Sequence, residues 1–248
     1  MDSVEFNFTG NHYIVTGASS GMGRQVTLEL VKAGAVILAV ARKKENLLSL
    51  KEEAPEQIHI ATVDVCDNIA LENKIREFVD KYGKLNGSVH AAGISEITPL
   101  RAYNKDIAHK IMQTSFWAGI DLIQLVTKSK YSEKGTSNVI FSSVCALSSE
   151  KGMFAYTAAK AAINSSIKSI AKEICGKGHR LNSIVPGWVK TPMTERAENL
   201  TNTKDLFDRY LLGTGEVKDI SGTVLFLLSN RAKWITGSNI VVDGGYLA

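Results

Sequence analysis

Residues 12–33, HYIVTGASSGMGRQVTLELVKA, decide the fold. His12 to Thr16 is a short apolar run that reads as a buried strand. Thr16 to Gly23, TGASSGMG, is a glycine-rich turn, and an amphipathic helix follows to about Ala33. A strand, a turn of this kind and a helix make a phosphate-binding unit. The glycines let the backbone approach a pyrophosphate, and the helix N-terminus offers unpaired N–H groups and the positive end of its dipole. The turn supplies Gly17, Ser19, Ser20, Gly21, Met22 and Gly23 as candidate cofactor-binding residues. Its spacing is G-x-x-x-G-x-G rather than the common G-x-G-x-x-G. Such a turn can also be a plain connector, so its place between the first strand and first helix carries the argument.

The pattern repeats outward from this unit. Ala35 to Val40 is nearly all apolar, as a parallel strand covered on both faces should be. Helix Glu45 to Glu53, strand Ile58 to Val63, helix Asn68 to Tyr82 (stopped by Gly83) and strand Ser88 to Ala91 follow. Asn104 to Lys130 has helical periodicity with an interruption near Thr114 to Gly119. Gly135-Thr136-Ser137 reads as a turn, Asn138 to Ser142 as strand five and Arg180 to Val185 as strand six. Helix Glu216 to Leu228 and strand Ile240 to Val242 complete the series. Alternation of strands and helices predicts an α/β fold: a doubly wound parallel sheet of about seven strands, helices on both faces, in one domain over residues 1–248. Trp188 to Leu212 is polar, with a turn and two short helices expected, and residues 190–212 are read as a substrate lid. Ligands of such sheets bind at the C-terminal strand ends. Those ends hold Thr16-Gly17, Asp64-Val65, Ala91-Ala92-Gly93, Ser142-Ser143 and Pro186-Gly187.

One stretch carries chemistry. In SVCALSSEKGMFAYTAAK, Ser143 to Lys160, a strand end delivers a serine, and a helix start delivers Tyr156 and Lys160 four residues apart. Positions i and i+4 share a helix face about 5–6 Å apart at Cβ. An ordinary tyrosine, with pKa about 10, is a poor acid or base at neutral pH. An ammonium one turn away is a source of phenolate stabilisation, and the serine can hold a substrate oxygen against the phenol. The arrangement suits proton transfer at an oxygen. The plain alternative is a tyrosine and a lysine on an ordinary surface helix.

The second strand ends in Ala41-Arg42-Lys43-Lys44, without the carboxylate that binds the ribose 2′-hydroxyl of NAD. Arg42 then favours the 2′-phosphate of NADP, unless the basic trio is only a solvated helix start. Asp64 either accepts a hydrogen bond from an adenine amine or caps the next helix. With 248 residues, 44% of them apolar, the chain can bury a full core. A net charge of +4, not concentrated anywhere, argues against nucleic acid as partner. Cys66, Cys145 and Cys175 are odd in number and lack metal spacing, so no metal is expected and a cytoplasmic setting is. Cys145 is either a packed thiol or, beside Ser143, a redox group. No apolar run approaches the roughly 18 residues of a membrane helix, and MDSVEFNFTG is acidic without a signal-peptide core.

At this point the chain resembles the short-chain dehydrogenase/reductase superfamily, in its single-domain branch, over nearly its whole length. The motifs that carry the resemblance are TGASSGMG, Asp64-Val65, the set Ser143, Tyr156 and Lys160, the segment Pro186-Gly187 with Thr191, and ITGSNIVVDGG, Ile235 to Gly245. The general resemblance is to 3-oxoacyl-acyl-carrier-protein reductases. It implies that Tyr156 exchanges a proton with a carbonyl or alcohol oxygen. Lys160 lowers the phenol pKa and binds the nicotinamide ribose, and Ser143 orients the substrate. Val189 and Thr191 touch the carboxamide. NADP(H) is preferred and NAD(H) is possible. It also implies a homotetramer or homodimer, with the long fifth helix and the small-residue face AAKAAINSS against symmetry mates. Lys128, Lys130, Lys168 and Lys172 form either a docking face for an acidic carrier or a solvated surface. Two departures stand out. His90-Ala91-Ala92-Gly93 replaces the family's Asn-Asn-Ala-Gly, so His90 is expected to brace the sheet or relay a proton. Ser115 takes the place of the family's relay asparagine. A catalytically idle, NADP-sensing protein is the competing class.

Overall fold

The computed structural model describes residues 5–97, 99–198 and 204–248. Seven parallel strands form one sheet in the order β3-β2-β1-β4-β5-β6-β7. They are β1 His12–Thr16, β2 Val36–Ala41, β3 Ile58–Thr62, β4 Leu85–His90, β5 Ser132–Phe141, β6 Arg180–Pro186 and β7 Asn239–Val242. The helices are α1 Gly21–Lys32, α2 Lys44–Glu52, α3 Asn68–Tyr82, α4 Lys105–Met112, α5 Ala118–Val126, α6 Phe154–Ile174, α7 Pro192–Glu198, α8 Lys204–Phe207 and α9 Val217–Leu228.

Alternation within the strands explains why helices cover both faces. In β1, Tyr13 and Val15 enter one core with Val26 and Leu30 of α1 and Val224 and Leu228 of α9. Ile14, between them, enters a second core with Leu71 and Ile75 of α3, Leu122 of α5 and Ile163 of α6. β2 divides the same way, Ile37 and Ala39 to the first and Leu38 and Val40 to the second. Each fully buried leucine or isoleucine contributes about 1.5–3 kcal/mol, which is what holds the two layers on the sheet.

Two sequence expectations are revised and a third is made specific. β4 begins at Leu85, not Ser88, because Gly87 is a strand residue. A Cβ there would run into the Ser137 carbonyl and lie 3.0 Å from the Tyr13 ring, so only glycine lets β4 pair with β5. Gly135-Thr136-Ser137 lies inside β5 rather than before it. The register jumps from Leu85↔Ser132 to Gly87↔Ser137, and Gly135, at φ +78°, sits in the resulting bulge. The Asn104 to Lys130 helix is interrupted where expected, and by widening of the helix. Asn104 caps α4 by accepting from the amides of Asp106 and Ile107 at 2.9 and 3.0 Å. A π-turn, Gln113–Trp117, then leads into α5, which ends at Val126.

The 190–212 segment contains α7 and α8, the two short helices expected, and residues 199–203 lie outside the described residues. Val189 bridges to Gly215, which ties the start of this segment to the approach to α9. No described helix is long and apolar enough to cross a membrane.

Candidate active site

The strand order reverses between β1 and β4, and the C-terminal ends of these two strands line a crevice. Gly17, at φ +69°, leaves β1 in a conformation that favours glycine, and a Cβ there would lie 2.7 Å from Ala91 C and Ala92 N. The turn and the β4 end are therefore in backbone contact. Gly23 packs equally closely on the Gly17 carbonyl. Ser20, the N-cap of α1, makes no side-chain cap bond, which leaves the first amides of a twelve-residue helix for another acceptor. Thr191 Cγ2 lies 3.3 Å from the Cβ position of Gly21, so the segment after β6 closes over this cradle. Thr191 and Val189 are both buried there. Met22, Ala91 and Ala92 pack into the cores, and Val65 is buried. The residues present thus fit an anionic group carried against the α1 N-terminus.

At the outer end, Arg42 and Asp64 form an exposed ion pair at 3.8 Å. Asp64 does not cap α3; Asp67 does, accepting from the Ala70 amide at 3.0 Å, while Asp64 accepts from Cys66 N at 3.0 Å. Arg42, Asp64, Cys66, Thr114 and Trp117 are among the residues lining a cavity of about 700 Å³.

At the inner end, β5 and α6 are stitched together where the serine, tyrosine and lysine meet. Ser142 Oγ donates to the Lys160 carbonyl at 3.0 Å, and Lys160 Nζ donates to the Phe141 carbonyl at 2.7 Å. Ser143 begins a single 3-10 turn, Val144–Ala146, and accepts from Cys145 N at 3.2 Å. Lys160 Nζ lies 5.5 Å from the centre of the Tyr156 ring.

The electrostatics differ from the expected direction. Burial raises the Tyr156 pKa, the Cys145 thiol adds to this, and a hydrogen bond with Ser143 opposes it. Burial brings Lys160 down to about 8. Lys160 is not among the causes of the Tyr156 shift: its ammonium is itself desolvated and donates to the Phe141 carbonyl. Burial pushes the Cys145 thiol up as well, which favours the packed-thiol reading over a redox role.

Ser115 sits in the π-turn, fully buried, and its Oγ has no hydrogen-bond partner among the described residues. A Cβ on Gly93 would lie 3.4 Å from that oxygen and 3.6 Å from Lys160 Nζ, so Gly93, Ser115 and Lys160 adjoin. His90 is a brace. Its Nε2 lies 3.2 Å from the Thr114 carbonyl, which can only accept, so Nε2 carries the proton and Nδ1 accepts from Thr16 Oγ1 at 2.9 Å. Burial first, then Lys160, lowers the His90 pKa to about 4 and keeps the ring neutral.

Residues far apart in the chain complete the wall, and no local pattern announces them. Glu150 Oε1 accepts from Arg209 Nη1 at 2.7 Å and from the Tyr246 hydroxyl at 2.9 Å. The Arg209 guanidinium lies 4.2 Å from the Tyr246 ring centre, and Tyr246 stacks on Tyr210. Tyr210 accepts from the Trp188 amide at 3.0 Å. A Cβ on Gly187 would lie 2.8 Å from the Tyr210 ring and from Asp243 Cα, so Pro186-Gly187 is held from this side.

The family model described as enoyl-(acyl carrier protein) reductase matches residues 17–247. A 3-oxoacyl-acyl-carrier-protein reductase of Thermotoga maritima is 30% identical over 240 residues, covering 95% of this chain and 97% of its own. An L-xylulose reductase of Caenorhabditis elegans is 30% identical over 246 residues, covering 98% of each. A solved short-chain type dehydrogenase/reductase of Mycobacterium ulcerans superposes with a TM-score of 0.91 at 27% identity, covering 98% of this chain and 91% of its own. With the whole sheet, the glycine cradle and these matches in agreement, the chain belongs to the short-chain dehydrogenase/reductase superfamily of carbonyl and alcohol oxidoreductases.

Proposed function

We propose that this protein interconverts a carbonyl and a secondary alcohol with NADP(H). The observation that carries the reading is the meeting of Ser143, Tyr156 and Lys160 at the strand edge that also holds the uncapped N-terminus of α1. When bound, the dinucleotide supplies or takes the hydride. Tyr156 Oη gives the proton to the substrate oxygen in reduction and recovers it in oxidation. Its raised pKa keeps the phenol protonated, which suits the donor role. Ser143 Oγ, near enough to the phenol to oppose its pKa rise, orients the same oxygen. Lys160, near pKa 8, can hold or release a proton at Nζ in the working range, beside the unpartnered Ser115 hydroxyl. We propose Ser115 as the member that passes that proton outward.

Gly17, Ser19, Ser20, Gly21, Met22, Gly23, Ala91, Ala92, Gly93, Pro186, Gly187, Val189 and Thr191 would hold the dinucleotide along its length. Arg42 would take the 2′-phosphate, since its exposed pair with Asp64 is long and weak. Asp64 and Val65 would border the adenine. Substrates reduced by the relatives, a 3-oxoacyl thioester or a sugar, are candidate classes, with residues 190–212 as their lid, and the chain as one domain in a cytoplasmic homotetramer or homodimer. Of the four surface lysines, Lys128 and Lys130 are paired with Glu72, at 3.6 and 2.9 Å, which favours the solvated surface over a carrier-docking face.

The test is NADPH consumption over a panel of 3-oxoacyl, sugar and steroid ketones. Turnover is expected for the wild type and should fall by about 10²–10⁴ in Tyr156→Phe, with NADPH binding retained. The raised phenol pKa favours one other reading, the idle NADP sensor; it predicts tight NADPH binding with no turnover anywhere on the panel.

A further inference from the structure

We propose a second ligand site, for a small multiply charged oxyanion, at the opposite edge of the sheet. A cavity of about 580 Å³ opens where β1, β4, β5 and β6 begin, on the far side of the molecule from the glycine cradle. Strands of this length put it about 20 Å away. Lys134, Arg180, Arg231 and Lys233 line it, against one acid, Glu5. Among the described residues no carboxylate lies within ion-pairing distance of any of the four cations.

Arg180 is the important one because it is half-buried. Burial lowers its pKa, and no carboxylate offsets that cost. A desolvated cation without a counter-ion is expensive to keep, and an anion in the cavity would offset it. Its Nη1 and Nη2 each donate to a backbone carbonyl, Ile235 at 3.3 Å and Ser229 at 3.1 Å. These bonds fix the guanidinium plane and leave three of its five N–H groups without an acceptor among the described residues. Tyr13, also in the lining, accepts from Asn11 Nδ2 at 3.5 Å and has no described acceptor for its own proton. An oriented guanidinium, a tyrosine O–H and a rim of exposed lysine and arginine form a receptor for phosphate or carboxylate oxygens. The two sources are a phosphate ester and a polycarboxylate.

Isothermal titration of the protein saturated with NADPH, with pyrophosphate in one arm and citrate in the other, tests the site. Saturable binding of at least one is expected, and the tighter arm names the source. The exposed double variant Lys134→Glu/Arg231→Glu should weaken it at least about tenfold with turnover unchanged. Tyr13→Phe, which removes one hydroxyl, should weaken it several-fold. Binding of neither anion, or binding that both variants leave unaltered, overturns the proposal.

Discussion

His90 and Ser115, the two departures that the resemblance singles out, lie in one neighbourhood. His90 bonds to the Thr114 carbonyl, one residue before Ser115. The neutral ring has a consequence for stability. Its folded pKa is about 4, against an ordinary value of 6.5. Above pH 6.5 both folded and unfolded forms are neutral and His90 adds no pH dependence. As pH falls from 6.5 to 4 only the unfolded form takes up the proton, so stability falls, by up to about 3 kcal/mol, and levels off below. Chemical denaturation between pH 7 and 4 should show this slope, and His90→Asn should flatten it. Ser115→Asn should raise turnover and shift its pH profile; an unchanged rate and profile would remove Ser115 from the proton path. The serine, tyrosine and lysine were legible in the sequence because the chemistry fixes their types and spacing. Their pKa directions were not, since burial is set by packing against another part of the chain, Ile107, Ile111 and Met112 of α4.

At the level of elements, most boundaries could be read from apolar runs and from glycine stops. The misreadings fell where a polar or glycine residue serves the backbone instead of ending it. Gly87 in β4 and Gly135 in the β5 bulge resemble turn residues, and only pairing reveals that they sit within strands. Gly119 in α5 is a parallel case. A Cβ there would lie 2.9 Å from the His90 ring, whose position is fixed by both nitrogens. Gly119→Ala should therefore cost about 1–3 kcal/mol despite its better helix propensity, measured by urea denaturation. A gain in stability would mean that the ring moves aside.

For the whole molecule, the alternation of strands and helices was enough to give a parallel sheet with two cores, and the strand-end argument located the crevice. The wall built from Glu150, Arg209 and Tyr246 was not legible, because its members come from three distant parts of the chain. Association is tested at this scale. Trp117 and Phe154 are half-exposed or nearly so, on the π-turn and at the start of α6, and α6 is also where the family implies contact with symmetry mates. The small-residue face of α6 is only partly available, since Ala159, Ile163 and Asn164 are buried within the chain. Light scattering should give a dimer or tetramer, and Trp117→Glu should shift it toward monomer.

The widened turn Gln113–Trp117 holds both the orphaned Ser115 hydroxyl and the outward-facing Trp117 indole. Two residues of one rigid loop cannot be loosened separately. If copies of the chain associate through Trp117, diluting the protein until they part is expected to lower its specific activity.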